Sequence, residues 1–166
     1  MTPNPAFERK GMGITVRPAT EDDAPGVLRR SIRELCIVDH RNDPEVLADW
    51  LKNKTPENVR AWIASADNFC VVAVRGTAVC GVALLYRDGE VRLCYLVPEV
   101  RFLGVGKLML QALEQQARRW GLDKVFLTST LTAKPFYERN SYLSSGGAIL
   151  VHGVQNAFPM AKAIAL

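Results

Sequence analysis

LCYLVPEVRFLGVGKLML, residues 93–110, joins a strand to a helix through a glycine-bearing turn. Its first half is an apolar, β-prone run that stops at Pro98. Its second half opens a helix predicted from Gly104 to Trp120, with Val105, Leu108, Met109, Ala112, Leu113, Ala117 and Trp120 on one stripe and Gly121 closing it. Between them lies the turn Arg101-Phe102-Leu103-Gly104-Val105-Gly106. A strand therefore passes straight into a helix start. The first turn of a helix leaves four amides without partners and carries the positive end of the macrodipole, so glycines there let a diphosphate reach bare main chain. The same glycines also suit an ordinary tight turn, and the flanks have to decide between the two.

Working toward the N-terminus, FCVVAV (69–74), TAVCGVALLY (77–86) and EVRLCYLV (90–97) are three strands separated by Arg75-Gly76 and Asp88-Gly89, which are hairpin turns. Before them, ITVRP (14–18) alternates as a strand and meets Thr20-Glu21-Asp22-Asp23, a helix-start signal. The helix that follows carries Val27, Leu28, Ile32, Leu35 and Cys36 and is predicted to run to about Val38. Asp43-Pro44 and Thr55-Pro56-Glu57 begin two more. Toward the C-terminus come a short buried strand from Lys124 to Thr128, a helix from Thr132 to Asn140, and, after Gly146-Gly147, two strands near AILVH and FPMAKAI. A meander leading into a helical crossover requires a mixed sheet, so the expected fold class is α/β: one mostly antiparallel layer of about six or seven strands with helices on both faces.

The 166 residues suit one domain, read as a flexible lead-in over 1–12 and a folded unit over 13–166. The lead-in lacks the apolar core of a secretory signal, and no apolar run reaches membrane-spanning length. Cys36, Cys70, Cys80 and Cys94 form no CxxC pair, and His40 and His152 are the only histidines, so no metal site is expected. Three of the cysteines lie in strand-like apolar runs, which points to core thiols and a reduced, cytoplasmic setting. The net charge of +4 comes from interleaved basic and acidic residues, without the stripe of a nucleic-acid footprint.

The flanks of the glycine turn resemble those of the GNAT superfamily of acyl-CoA-dependent N-acyltransferases. Arg101, Gly104 and Gly106 match its R/Q-x-x-G-x-G/A signature, and Tyr95, Pro98 and Glu99 match much of the L-Y-V-x-P-E strand before it. The glycine spacing and the meander strand both differ from a dinucleotide-binding βαβ unit. A second stretch, STLTAKPFYERNSY (129–142), is similar to the family's S-x-x-A-x-x-F-Y-E-x-x-G-F segment through Thr130, Ala133, Phe136, Tyr137 and Glu138. Ser141-Tyr142 stands where Gly-Phe is usual. The resemblance spans about residues 13 to 165.

The resemblance implies a sheet splayed between its fourth and fifth strands, with acetyl-CoA as acyl donor. Main-chain groups at Leu96 and Val97 would pair with the pantetheine arm as an added strand. Amides of Phe102, Leu103, Gly104, Val105, Gly106 and Lys107 would hold the pyrophosphate, with Arg101, Thr130 and Ala133 completing the cofactor site. It also makes Tyr137 the candidate general acid, since a phenol near pKa ~10 suits a thiolate leaving group near ~8.5. An aromatic anchor for the helix is the structural alternative at that position.

An attacking amine has to lose a proton, and Glu90 is the candidate base. It matches a glutamate that some members use, and strand parity places it on one face with Arg92, Cys94 and Leu96. At roughly 13 Å from residue 94 it could act only through water, and an ion pair with Arg92 is its bland reading. Cys94 invites an acyl-cysteine route, but no histidine lies near it in sequence and its setting is apolar, so direct transfer is preferred. His40 could line the acceptor site or cap a helix end. Trp50, Trp62, His40 and Asp39 lie in the segment where an acceptor is expected, and none is assigned as a binding residue.

The expected activity is thus N-acetylation of a primary amine on a small molecule or peptide, without metal, nucleic acid or membrane. A homodimer is compatible with the sequence. Two rivals stand beside it: a catalytically inert CoA-binding sensor or scaffold, and a nucleic-acid-binding α/β domain, which would show steeply salt-dependent affinity.

Overall fold

Period-two alternation along the central strands divides their side chains between two apolar clusters, and those clusters recruit the helices. The computed structural model describes residues 7–9, 12–23, 25–151 and 154–165. In chain order the elements are β1 (Phe7–Arg9), β2 (Ile14–Pro18), α1 (Pro25–Leu35), α2 (Ile37–His40), α3 (Pro44–Leu51), α4 (Pro56–Ala64), β3 (Asn68–Arg75), β4 (Ala78–Tyr86) and β5 (Val91–Leu96). After a 3-10 turn at Pro98–Val100 come α5 (Val105–Arg119), β6 (Lys124–Ser129), α6 (Lys134–Arg139), β7 (Leu143–Ser144), β8 (Ile149–Val151) and β9 (Val154–Ala163).

β3 sends Val71 and Ala73 to one face, where Val105, Met109, Leu110 and Leu113 of α5 meet them. Its Cys70 and Val72 go to the other face, against Val27 and Leu28 of α1 and Val59 of α4. Helices therefore cover both sides, as expected. β1 to β5 form one antiparallel sheet in sequence order, and β6, β9 and β7 form a second, with β8 paired to β9. Among the described residues the two sheets are bridged only by a parallel pair between Glu90 and Phe126, so the layer splays between β5 and β6. These are the fourth and fifth strands of the sequence reading, which began its count at ITVRP.

Some details differ from expectation. Phe7–Arg9, inside the stretch read as a lead-in, pairs with Ile14–Val16. The first helix starts at Pro25, not in the Thr20 turn, and breaks at Cys36 before α2. Asp23 spends its carboxylate on the Thr20 amide at 2.6 Å and on the Arg17 guanidinium at 2.8 and 2.9 Å, so it closes the preceding turn. The caps at Asp43 and Thr55 are as read, accepting from Glu45 and Asn58 amides respectively. β7 was not anticipated, and His152 lies outside the described residues.

The Ser141-Tyr142 departure has a physical account. Ser141 takes the position of the usual glycine and adopts φ 69°, the left-handed region. Tyr142, fully buried, replaces a phenylalanine and uses its extra hydroxyl to donate to Glu114 Oε1 at 3.0 Å. Glu114 is 5% exposed on α5, and Lys162 of β9 completes its shell at 3.0 and 3.1 Å. A buried carboxylate is tolerable only with such partners.

Tyr142→Phe should therefore lower stability by about 1–3 kcal/mol, because one donor to a buried charge is lost. Ser141→Gly should raise it by about 1 kcal/mol by relieving the left-handed backbone; thermal unfolding, at roughly 2–4 °C per kcal/mol, reads both. Acid titration gives a third outcome. Hydrogen bonding from Arg17, opposed by burial, holds the Asp23 carboxyl down at about 2 against an ordinary 3.8. A depressed carboxyl contributes stability above its unfolded pKa and loses it as pH falls from about 4 to 2, so Asp23→Asn should flatten the stability profile in that window.

Candidate active site

Parallel strands that part at their carboxyl ends open a crevice there, and helices that start just beyond those ends point their amides into it. β5 and β6 are such a pair. They touch where the Phe126 amide donates to the Gly89 carbonyl at 3.0 Å, and they separate toward Leu96 and Thr130. The crevice is a cleft of ≈ 760 Å³. α5 begins beyond β5, and α6 beyond β6.

Gly104 forms the N-cap of α5 with φ 82°, a conformation that suits glycine, and no side chain caps the helix. The first main-chain bond of the helix is Leu108 N–H to the Gly104 carbonyl at 3.2 Å, which leaves the Val105, Gly106 and Lys107 amides ahead of it. All four residues from Gly104 to Lys107 line the cleft. Arg101, Lys107 and Arg139 add positive charge, and no carboxylate stands among the described lining residues. Glu99 sits outside the lining, paired with Arg30 of α1, which tethers the loop to that helix.

Gly106 carries a second constraint. A β-carbon at this buried position would lie 2.8 Å from Cζ of Phe136, so glycine lets α6 pack directly against the first turn of α5. The two sequence motifs are thus in contact. The next residue, Tyr137, is 6% exposed and packs on Phe136 at 5.1 Å and Tyr142 at 5.7 Å between ring centroids. Burial, reinforced by Cys94 and Tyr95, raises its phenol well above the ordinary value, so it stays protonated. Burial, opposed by the neighbouring Tyr137, pushes the Cys94 thiol up to about 12 and leaves it a poor nucleophile.

The open edge of β5 is set by hydrogen-bond parity. Val97 N–H donates to the Cys80 carbonyl at 2.9 Å, so alternation in the ladder turns the main-chain groups of Cys94 and Leu96 away from β4. Leu96 lines the cleft, as do Phe102, Thr130, Ala133 and Tyr137. Val97 and Leu103 do not. The Val97 amide is committed to β4 and the Leu103 amide to the Val100 carbonyl at 3.2 Å.

Glu90 stands on the face opposite to the one strand parity predicts. The β4–β5 register shifts between Leu84 and Leu85, with Leu84 opposite Leu93 and Leu85 opposite Val91, so one extra residue bulges in β5. Val91 and Cys94 consequently share the α5 cluster while Leu93 belongs to the opposite one. The parity that placed Glu90 beside Cys94 fails at the bulge. Glu90 is absent from the described lining and accepts from Arg92 Nε at 3.0 Å.

Residues not assigned from sequence also shape the site. Ser31, Leu35 and Cys36 of the α1 end and Tyr95 of β5 line the cleft. Asp39, 3% exposed, accepts from the Leu131 amide at 2.7 Å and Thr132 Oγ1 at 2.5 Å, which straps α2 to the loop leading into α6. His40 is a buried cap, with Nδ1 accepting from the Asn42 amide at 3.0 Å and Nε2 facing the Ile32 carbonyl at 3.0 Å. Trp62 packs in the core against α1 and β3. A preceding acidic signal and a helix-end histidine gave no hint of the Asp39 strap, because its partners lie 92 and 93 residues away.

Among the described residues no three metal-ligating side chains converge, and no helix is long and apolar enough to cross a membrane. Solved structures share the architecture. A GCN5-related N-acetyltransferase from Rhodopseudomonas palustris superposes with a TM-score of 0.77 at 19% identity, covering 90% of this chain and 94% of that one. The PaiA N-acetyltransferase of Thermoplasma acidophilum, solved with coenzyme A, gives 0.72 at 20% identity over 92% and 100%. An aminoglycoside 6′-N-acetyltransferase, also complexed with coenzyme A, gives 0.67 at 15% identity over 91% and 97%. The acetyltransferase (GNAT) domain matches residues 37–164, more than half of the sequence, and the chain belongs to that family.

Proposed function

We propose that the protein is an acetyl-CoA-dependent N-acetyltransferase that passes the acetyl group directly to a primary amine. The observation that carries this reading is the meeting of three features in one cleft: the uncapped start of α5, the open edge of β5 and the protonated Tyr137. The amides of Gly104 to Lys107, with Arg101 and Lys107, bind the pyrophosphate. Leu96 and Cys94 pair with the pantetheine arm along the vacant strand edge, with Thr130 and Ala133 on the opposite wall.

In the transfer, the Cys94 amide polarises the thioester carbonyl, the amine nitrogen bonds to its carbon, and the carbon–sulfur bond breaks. The thiolate takes the Tyr137 proton, and solvent restores it. The proton lost by the amine leaves through water, since no carboxylate is present in the described lining. Cys94 takes no covalent part, because its thiol remains protonated across the neutral range. The N-acetyltransferases of the same fold that were solved with coenzyme A support coenzyme A as the ligand and an amine as acceptor.

Incubation with acetyl-CoA and an amine panel, followed by free thiol, tests the reading. Turnover on at least one amine is expected; tight CoA binding without turnover on any would favour the inert module instead. Tyr137→Phe should reduce kcat by about 100-fold with the ring packing retained. The pH profile gives an independent check. With Tyr137 protonated beyond pH 10, kcat/KM should climb as the amine deprotonates, and an alkaline limb below pH 9 would argue against Tyr137 as the acid.

A further inference from the structure

Phe102 is the most exposed large apolar side chain among the described residues, at 81%, and it lies on the lining of the cleft. It also holds φ 66°, a left-handed conformation that is an outlier for a bulky residue. No neighbour compensates for either feature by burying the ring. The Arg101 guanidinium lies against it, with Cζ 4.7 Å from the ring centroid. A strained backbone that presents an aromatic ring to solvent beside a binding cleft is an arrangement that ligand contact explains and folding does not.

The geometry points to the Phe102 side chain, paired with Arg101, as a stacking platform for the purine base of the acyl donor. This goes beyond the pyrophosphate cradle and rests on the coenzyme A reading above. The ring stands at the turn just before the amides of Gly104 to Lys107, so a nucleotide whose phosphates occupy those amides brings its base within reach of Phe102. An aromatic face accepts a purine by stacking, and the adjacent guanidinium adds charge complementarity to the phosphate carried by the same nucleoside. The exposed ring is then covered in the complex. The left-handed φ is what turns it outward over the cleft edge instead of into the core.

Calorimetric titration with two ligands isolates the nucleotide end: coenzyme A, and 4′-phosphopantetheine, which lacks the base, the ribose and their phosphates. Phe102→Ala should cut the affinity ratio between coenzyme A and 4′-phosphopantetheine by about tenfold. Phe102→Trp should restore it. Phe102→Gly should separate function from folding, raising the thermal midpoint of the free protein by relieving the left-handed residue while losing the same part of the coenzyme A preference. An unchanged ratio in Phe102→Ala, or equal loss for both ligands, would overturn the platform and leave the donor assignment standing. Absence of coenzyme A binding by the unaltered protein would overturn the donor assignment, and the platform with it.

Discussion

The van der Waals contact between Gly106 and the ring of Phe136 is the constraint on which the site depends. It brings together the helix starts that follow β5 and β6, at a position where a β-carbon would crowd the Phe136 ring. The amides of α5 and the phenol of Tyr137 are thereby held in a single cleft, although β5 and β6 share only one bridge. The close approach of α5 to the sheet elsewhere uses the same device, since Gly81 leaves room for Met109. Glycines at these points let α5 pack closely on its neighbours.

The splay follows from what the strand edges are already doing. β5 gives one edge to β4 through the Val97–Cys80 bond and keeps the other free beyond the Glu90 bridge. Free strand edges are normally paired or covered. Here the opening is stabilised from outside, by Asp39 strapping α2 to the loop before α6 and by the Arg30–Glu99 pair holding α1 to the turn before α5. The buried Glu114, Tyr142 and Lys162 group joins α5 to β9 and so closes the second sheet onto the same helix. The cleft is a consequence of these tethers as much as of its own lining.

Much of this was legible in the sequence because it is local. The hairpin turns at Gly76 and Gly89, the caps at Asp43 and Thr55 and the glycine-led helix at 104 each depend on residues within a few positions of one another. The family resemblance located Tyr137 beside the cleft for the same reason. What failed was long in range or register-dependent. A single extra residue in β5 has no signature in its letters, yet it reverses every side chain beyond it and removes Glu90 from the face of Cys94. The commitments of the Val97 and Leu103 amides, and the strap made by Asp39, are likewise decided by partners that only the folded chain brings near. Gly106 was read as access for phosphate; its packing against Phe136 depends on a residue 30 positions later.

The bare amides opening α5 and the free edge of β5 should receive one ligand together. Amide chemical-shift mapping during a coenzyme A titration reads this at each residue. The resonances of Gly104, Val105, Gly106 and Lys107 should move along with those of Cys94 and Leu96, in a single saturable transition. Shifts confined to another surface, or no shift at those six amides at saturating ligand, would contradict it.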